Sequence, residues 1–131
     1  MLGVKKYSQE YVDGARVSIA AEAKLAKAAG GPALEAFDPI FFNNMVLALE
    51  MRFVHRLRGI EGKDGNQLNE SRMLCNSIME HGSVATAEST MKMNPETSIL
   101  GHREGEEIKL AETDVRRLAD AFFAEIEQNF V

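Results

Sequence analysis

The stretch from residue 39 to residue 58 constrains the fold most, because on a helix it is apolar around almost its whole circumference. Asp38 followed by Pro39 is typical of a helix start, since proline at the first helical position loses no hydrogen bond. The apolar side chains of the stretch are Ile40, Phe41, Phe42, Met45, Val46, Leu47, Leu49, Met51, Phe53, Val54 and Leu57. A helix that is apolar all round is enclosed by other protein. The sequence therefore predicts a central apolar helix over residues 39–58.

Three other segments favour helices. Residues 8–29 are rich in alanine and contain no proline, and the Gly30-Gly31-Pro32 sequence ends them. A shorter helix is predicted from Asn69, as N-cap, to Gly82, which supplies a left-handed C-cap. Residues 113–129 carry the clearest amphipathic pattern, with Val115, Leu118, Ala119, Phe122, Ile126 and Phe130 on one side.

Two short segments alternate polar and apolar residues with a period of two, as strands do. They are Thr90–Met93 and Glu107–Leu110, and turn residues separate them. The predicted fold is therefore mostly α, a small helical bundle around a central apolar helix with a short β-hairpin before the last helix. Residues 1–131 form a single α-rich domain. We expect the second and last helices to be in contact, because they contain most of the aromatic residues of the chain. These are Phe41, Phe42, Phe53, Phe122 and Phe123.

Charge and composition argue against several classes of protein. The net charge is -5, and Arg52, Arg56 and Arg58 form the only cluster of basic residues, which is too small for a nucleic-acid interface. We therefore expect no nucleic acid as a partner. No apolar run reaches the length that a membrane span needs, so we expect no membrane as a partner either. The single cysteine, Cys75, allows no internal disulfide, and a cytoplasmic location fits best.

The short motifs of phosphate loops, dinucleotide folds, metalloproteases and hydrolases are missing, so no catalytic residue and no cofactor is predicted. Cys75 lies between apolar neighbours and is expected to be a small buried residue. No two of the three histidines have the spacing of helical metal ligands. His55 could join Glu50, Glu70 or Cys75 around a metal, but a hydrogen-bonded histidine near a helix end is the favoured interpretation.

Polar side chains on the predicted central helix are the candidate functional residues. They are Asn43, Asn44, Glu50, Arg52, His55 and Arg56. Charges that enter an apolar interior need partners, so these groups face a subunit boundary, a polar pocket or water.

Two functional hypotheses follow. The first is a homodimeric, non-enzymatic interaction module, because three short amphipathic helices can hardly cover a helix that is apolar all round. The alternative is a binding protein or enzyme for a small anionic ligand, with a pocket around Glu50, Arg52, His55 and Arg56.

Several motifs also resemble a family of small bacterial proteins of uncharacterised function. They are the run Phe53–Gly59, the loop Gly62–Asn66, the segments Leu68–Glu70 and Met73–Ser77, and in the tail Glu107–Leu110 and Ala121–Glu125. Gln67 stands where that family commonly has a proline. The resemblance implies a bacterial origin and no particular activity.

Overall fold

The computed structural model describes residues 3–28, 32–87 and 94–131, and the side chains of the same residues apart from 32–36. Within them, the helices are α1 (Gln9–Ala28), α2 (Pro32–Arg52), α3 (Arg58–Glu61), α4 (Gln67–Glu80) and α5 (Glu112–Phe130). The prediction of a mostly helical fold is confirmed. Among the described helices, none combines the length and the apolar character that a membrane span requires.

Helix α1 packs along α5 and also contacts α2. Its buried residues are Val12, Ala15, Ile19 and Ala23, which lie three or four positions apart on one face and are at most 2% exposed. Because two of these side chains are alanines, the helix axes can approach closely. Helix α5 also contacts α2, α3 and α4, so its apolar face supplies much of the core.

The boundaries of α2 differ from the prediction. The helix begins at Pro32, includes Pro39 and ends at Arg52, so both the start at residue 39 and the end at residue 58 are wrong. Pro32 is accepted in the first turn, where proline costs least. After Arg52 the chain turns over residues 53–55, and at Arg56 its backbone forms an isolated parallel bridge with Val4. The Val4 N–H donates to the His55 carbonyl at 2.6 Å, and the Leu57 N–H donates to the Val4 carbonyl at 2.8 Å.

The predicted aromatic contact between the second helix and the last one is confirmed. Phe53, one residue beyond the end of α2, lies with its ring centroid 5.5 Å from that of Phe122 and 6.1 Å from that of Phe123. All three rings are almost completely buried. Edge-on contacts of this kind stabilise a core beyond the burial of area.

Helix α4 begins two residues before the predicted N-cap. Asn66 is the observed cap, and its side-chain oxygen accepts hydrogen bonds from the backbone N–H groups of Leu68 and Asn69, both at 3.0 Å. Asn69 is instead buried and bonds to other groups. Gly82 has a positive φ of 59° just beyond the end of α4, as the predicted left-handed cap requires.

The β-hairpin prediction is wrong. Thr90–Met93 lies outside the described residues, and Glu107–Leu110 belongs to no sheet but makes one isolated antiparallel bridge, between Glu107 and Val84. The alternation of this segment is real, since Ile108 and Leu110 are buried while Glu107 and Lys109 are exposed. Backbone hydrogen bonds join this segment to residues 83–85, with the Ile108 N–H donating to the Ser83 carbonyl at 2.7 Å and the Ala85 N–H donating to the Glu106 carbonyl at 2.8 Å. The side chain of Asn43 supplies two further hydrogen bonds. Its Nδ2 donates to the Ile108 carbonyl at 2.7 Å, and its Oδ1 accepts from the Leu110 N–H at 3.1 Å.

Replacing Asn43 with alanine is expected to destabilise the fold by roughly 2–4 kcal/mol, because the substitution leaves the Ile108 carbonyl and the Leu110 N–H buried without partners. Urea denaturation followed by circular dichroism measures the effect. The control is Gln128→Ala, which removes an exposed amide from α5 and should change the stability by less than about 0.5 kcal/mol. Equal stabilities of the two variants would contradict the role given to Asn43.

Candidate functional site

The structure brings only two of the six candidate residues into one buried cluster. Glu50 and Arg56 are buried and paired with each other. Asn43 is buried elsewhere, against residues 108–110. Asn44 and His55 are exposed and Arg52 is half-buried. Because α2 ends at Arg52, His55 and Arg56 are not on this helix. They therefore do not share a helix face with the candidates on α2, as the longer predicted helix implied.

Arg56 is the centre of the buried cluster, and its side chain is 0% exposed. Its guanidinium donates two parallel hydrogen bonds to the Glu50 carboxylate, from Nη1 to Oε2 at 2.9 Å and from Nη2 to Oε1 at 3.1 Å. The same two nitrogens donate to the backbone carbonyls of Phe53, at 3.1 Å, and Leu68, at 3.2 Å. The remaining nitrogen, Nε, lies 2.7 Å from Glu61 Oε1. Nη1 and Nη2 therefore donate hydrogen bonds, whereas Nε makes no hydrogen bond among the described residues and is compensated by the negative charge of Glu61.

Glu61 and Arg72 complete the cluster. Glu61, at the end of α3, is fully buried and accepts hydrogen bonds from Arg72 Nη2 at 2.5 Å and from Asn69 Nδ2 at 2.7 Å. Ser71 donates its hydroxyl to Glu50 Oε1 at 3.0 Å. Two carboxylates and two guanidiniums therefore lie together with no net charge.

This cluster fixes structure and has little capacity for a ligand, because its oxygens and nitrogens already bond to one another. Glu61 and Arg72 were not among the candidate residues, since the sequence argument considered only the predicted central helix. The sequence did contain a signal for them. Buried charges on one helix need partners from other segments, and Glu61 and Arg72 are charged residues next to apolar ones, Glu61 after Ile60 and Arg72 before Met73.

The charges of the cluster act on the pKa of Glu61. Burial by itself raises the pKa of this carboxyl. The hydrogen bond from Arg72 and the positive charges of Arg56 and Arg72 outweigh burial, so the pKa lies below the ordinary value of 4.5. Glu61 is therefore held in its charged form in the folded protein.

Cys75 is a buried structural residue. Its side chain is almost inaccessible, and its Sγ donates to the Val46 carbonyl at 3.5 Å. Burial, with a smaller contribution from the charge of Glu50, raises the pKa of the thiol well above its ordinary range. A protonated, buried thiol is a poor nucleophile. Among the described residues, no group of three or more His, Cys, Asp or Glu side chains is arranged to hold a metal ion.

One face of α2 carries exposed apolar side chains. Phe37, Ile40 and Met51 are 49%, 57% and 70% exposed. Asn44 is exposed and Leu47 is half-buried on the same face. We call these five residues the α2 stripe. Their spacing alternates between three and four residues, which is the spacing of a helix seam that pairs with another helix.

A shallow depression of about 390 Å³ lies at the turn after α2. Three basic side chains and a histidine contribute to its lining, which comprises Gly3, Val54, His55, Arg56, Leu57, Arg58, Gly59 and Arg72. Arg56 and Arg72 are neutralised by the buried glutamates. The exposed residues His55 and Arg58 are the groups that solvent reaches most easily.

Comparisons of the chain with family models, curated proteins and solved structures find no match. The resemblance to a bacterial family stays a prediction from the motifs.

The lowered pKa of Glu61 makes the stability of the protein depend on pH. A carboxyl whose folded-state pKa lies below its unfolded value contributes stability above about pH 4.5, and the contribution disappears as the pH falls through the folded-state pKa. We expect the wild type to lose stability steeply below pH 5, and Glu61→Gln to show a shallower loss over the same range. Urea denaturation at several pH values between about 3 and 6 measures both slopes.

Glu107→Gln is the control for this experiment, because Glu107 is exposed and its ion pair with Lys109 is a surface one. Its pH profile should run parallel to that of the wild type. If Glu61→Gln also runs parallel, the charged form of Glu61 does not stabilise the fold.

Proposed function

We propose that this protein is a homodimeric, non-enzymatic assembly module and that two copies pair through the α2 stripe. The observation that supports this function best is the exposure of Phe37, Ile40 and Met51 at seam spacing on one helix face. Large apolar side chains that share an exposed face are typical of interaction sites.

The stripe is complementary to itself. Its five residues carry no charge, so the seam itself brings no like charges together, although Glu22 and Asp38 line the adjoining groove. Asn44 lies seven positions from both Phe37 and Met51. In a parallel or an antiparallel pair in register, Asn44 therefore meets Asn44 of the other copy, and an amide can both donate to and accept from another amide. A single asparagine in an apolar seam favours one register at some cost in affinity.

The size of the stripe favours a weak dimer. The exposed surface that a partner could cover is on the order of 100 Å² for each of Phe37, Ile40 and Met51. A standard interface buries about 800 Å² per partner, so neighbouring side chains must contribute. Leu25 of α1, which is 70% exposed, lies beside Phe37 and Phe41 in a shallow groove that extends the stripe. We expect a dissociation constant in the micromolar range.

The same proposal assigns α2 the role of the bundle axis within a single domain over residues 1–131. Contacts of α2 with α1, α4 and α5 support it, as do the buried positions Phe42, Val46 and Leu49. The self-association surface is then the part of the axis that the neighbouring helices leave open.

We further propose that the protein acts in a bacterial cytoplasm, without nucleic acid or membrane as a partner. The net charge of -5 supports this proposal because it opposes binding to phosphate backbones and anionic lipid surfaces. The single, buried cysteine fits a reducing compartment.

A second candidate function is the binding of a small anion in the depression after α2. The exposed residues Arg58 and His55 in its lining favour it, because Arg58 forms no ion pair with an acidic side chain among the described residues. This site would contain His55 and Arg56 of the six candidates. Arg52 does not line it.

Asn44→Asp tests the dimer. The substitution preserves the shape of the side chain and places two carboxylates opposite each other, so we expect the dimer to weaken about tenfold or more near neutral pH. Sedimentation equilibrium at tens of micromolar measures the association. Gln128→Glu is the matched control, since it adds the same charge to an exposed position of α5 and should leave the dimer intact. A monomeric wild type, or an Asn44→Asp variant that associates like the wild type, would overturn the proposal.

Arg58→Gln tests the second candidate. Titration with inorganic phosphate at low ionic strength, followed by NMR, should shift the amides of residues 55–59 in the wild type and not in this variant. Arg52→Gln removes an equal charge outside the depression and should bind like the wild type. Identical titrations of the two variants would exclude the depression as the anion site.

A further inference from the structure

A cavity of about 500 Å³ lies between the first half of α4 and the segment 94–104. Met73 of α4 and Pro95 of the segment contribute apolar surface, and Gly65 and Gly101 bring backbone to the wall. The polar side chains that line it are Asn69, Glu70, Asn94, Ser98, His102, Arg103 and Glu104. Ligand sites typically occupy about 300–1,000 Å³ and combine apolar walls with a few polar groups, so this cavity has the size and composition of one.

The wall formed by segment 94–104 is held firmly although it has no regular secondary structure. The buried carboxylate of Glu70 accepts from the backbone N–H groups of Ile99 at 2.8 Å and Leu100 at 3.0 Å, and from the Ser98 hydroxyl at 2.9 Å. Arg117 of α5 donates to the Ile99 carbonyl at 2.7 Å.

Residue 97 adds two further attachments. The Thr97 hydroxyl donates to the Gly65 carbonyl, and Gln67 Nε2 donates to the Thr97 carbonyl, both at 2.7 Å. Ordering a loop costs conformational entropy, and these bonds from α4, α5 and the loop before α4 offset it. The cavity is therefore formed before any ligand arrives, which favours affinity.

Most polar groups on the wall are already used. Glu70 accepts from three donors. Asn69 is fully engaged, because its Oδ1 accepts from the Gly65 N–H and its Nδ2 donates to Glu61 and to the Gly62 carbonyl. The side chains of His102, Arg103 and Glu104 make no hydrogen bond among the described residues, and of these three His102 is the one that is partly buried.

The two ring nitrogens of His102 have different surroundings. Nδ1 is buried and has no hydrogen-bond partner among the described residues, whereas Nε2 is within reach of solvent. Either tautomer leaves Nδ1 without a partner, so Nε2 is the ring nitrogen that can bond to a ligand. With its hydrogen on Nε2, His102 offers a donor from a side chain that lines the cavity.

We propose that this cavity binds a small uncharged molecule with an apolar body and a carbonyl group, and that the carbonyl oxygen accepts a hydrogen bond from His102 Nε2. Met73 and Pro95 contact the apolar body. The lining favours an uncharged ligand over a carboxylate, because Glu70 and Glu104 contribute two negative charges against the single positive charge of Arg103. This site is separate from the α2 stripe and from the depression after α2.

Three aromatic probes of similar size separate the contributions of the apolar body, the carbonyl group and charge. Acetophenone carries the carbonyl, ethylbenzene lacks an acceptor, and benzoate replaces the carbonyl by an anion. Each is titrated into the full chain and followed by NMR through the amides of residues 98–104 and of Met73. We expect acetophenone to bind about fivefold or more tightly than either of the other two probes.

Substitutions then assign the preference to His102. In His102→Phe, which preserves a flat ring, acetophenone should lose its advantage over ethylbenzene while ethylbenzene binds as before. Pro95→Trp adds bulk at an exposed position on the rim and should weaken both probes without altering the core. His81→Phe removes an exposed histidine at the end of α4 and should bind like the wild type. Circular dichroism confirms that each variant is folded.

Four results would overturn the proposal. They are shifts that map outside the cavity, no binding of acetophenone, equal binding of acetophenone and benzoate, and a preference for acetophenone that persists in His102→Phe. None of these results bears on the dimer, which is measured by sedimentation without any probe.

Discussion

The rest of the structure depends on keeping one guanidinium, that of Arg56, entirely out of water. A buried charge of this kind is tolerated only when opposite charges and hydrogen-bond acceptors surround it. Glu50 at the end of α2 and the Leu68 carbonyl in α4 accept its hydrogen bonds, and Glu61 at the end of α3 forms an ion pair with its Nε. Three helices must therefore meet at one point, and the turn after α2 has little freedom. The buried core then forms around this meeting point, with Phe122 of α5 facing the guanidinium at 5.4 Å.

Four of the five described helices could be predicted from local patterns, whereas α3 could not, and the helix ends depended on distant residues. Helix α1 follows from its alanine content and its lack of proline, and the amphipathic face of α5 follows from periodicity alone. The end of α2 at Arg52 does not, because the apolar pattern continues to Leu57 and the turn requires Val4 and the acceptors around Arg56. The supposed strand at residues 107–110 shows the same limit. Its alternation matches the observed burial, but its hydrogen-bonding partners are the backbone of residues 83–85 and the side chain of Asn43, which no pattern in the segment itself could indicate.

The candidate residues were identified for a sound reason, the cost of polar groups in apolar surroundings, and this reason holds for Asn43, Glu50 and Arg56. The same reason does not apply to Arg52, which is half-buried, or to His55, which is exposed. The predicted positions around the helix axis do not hold for residues beyond Arg52, where the helix ends. The α2 stripe was predicted only in general terms, as apolar surface that the other helices could not cover. The cavity beside α4 left no signal in the sequence, since its wall is an irregular segment and His102 matches no motif.

The sequence spacing of these contacts has a consequence for the order in which the molecule assembles. The contacts of Arg56 with Glu50 and Leu68 join residues only 6 and 12 positions apart. Closing such short loops costs little entropy, so these contacts can form early. The two hydrogen bonds of Asn43 span 65 and 67 positions and can form only after most of the chain has collapsed. Substitutions in the Arg56 cluster should therefore slow folding, whereas changes at Asn43 should mainly accelerate unfolding.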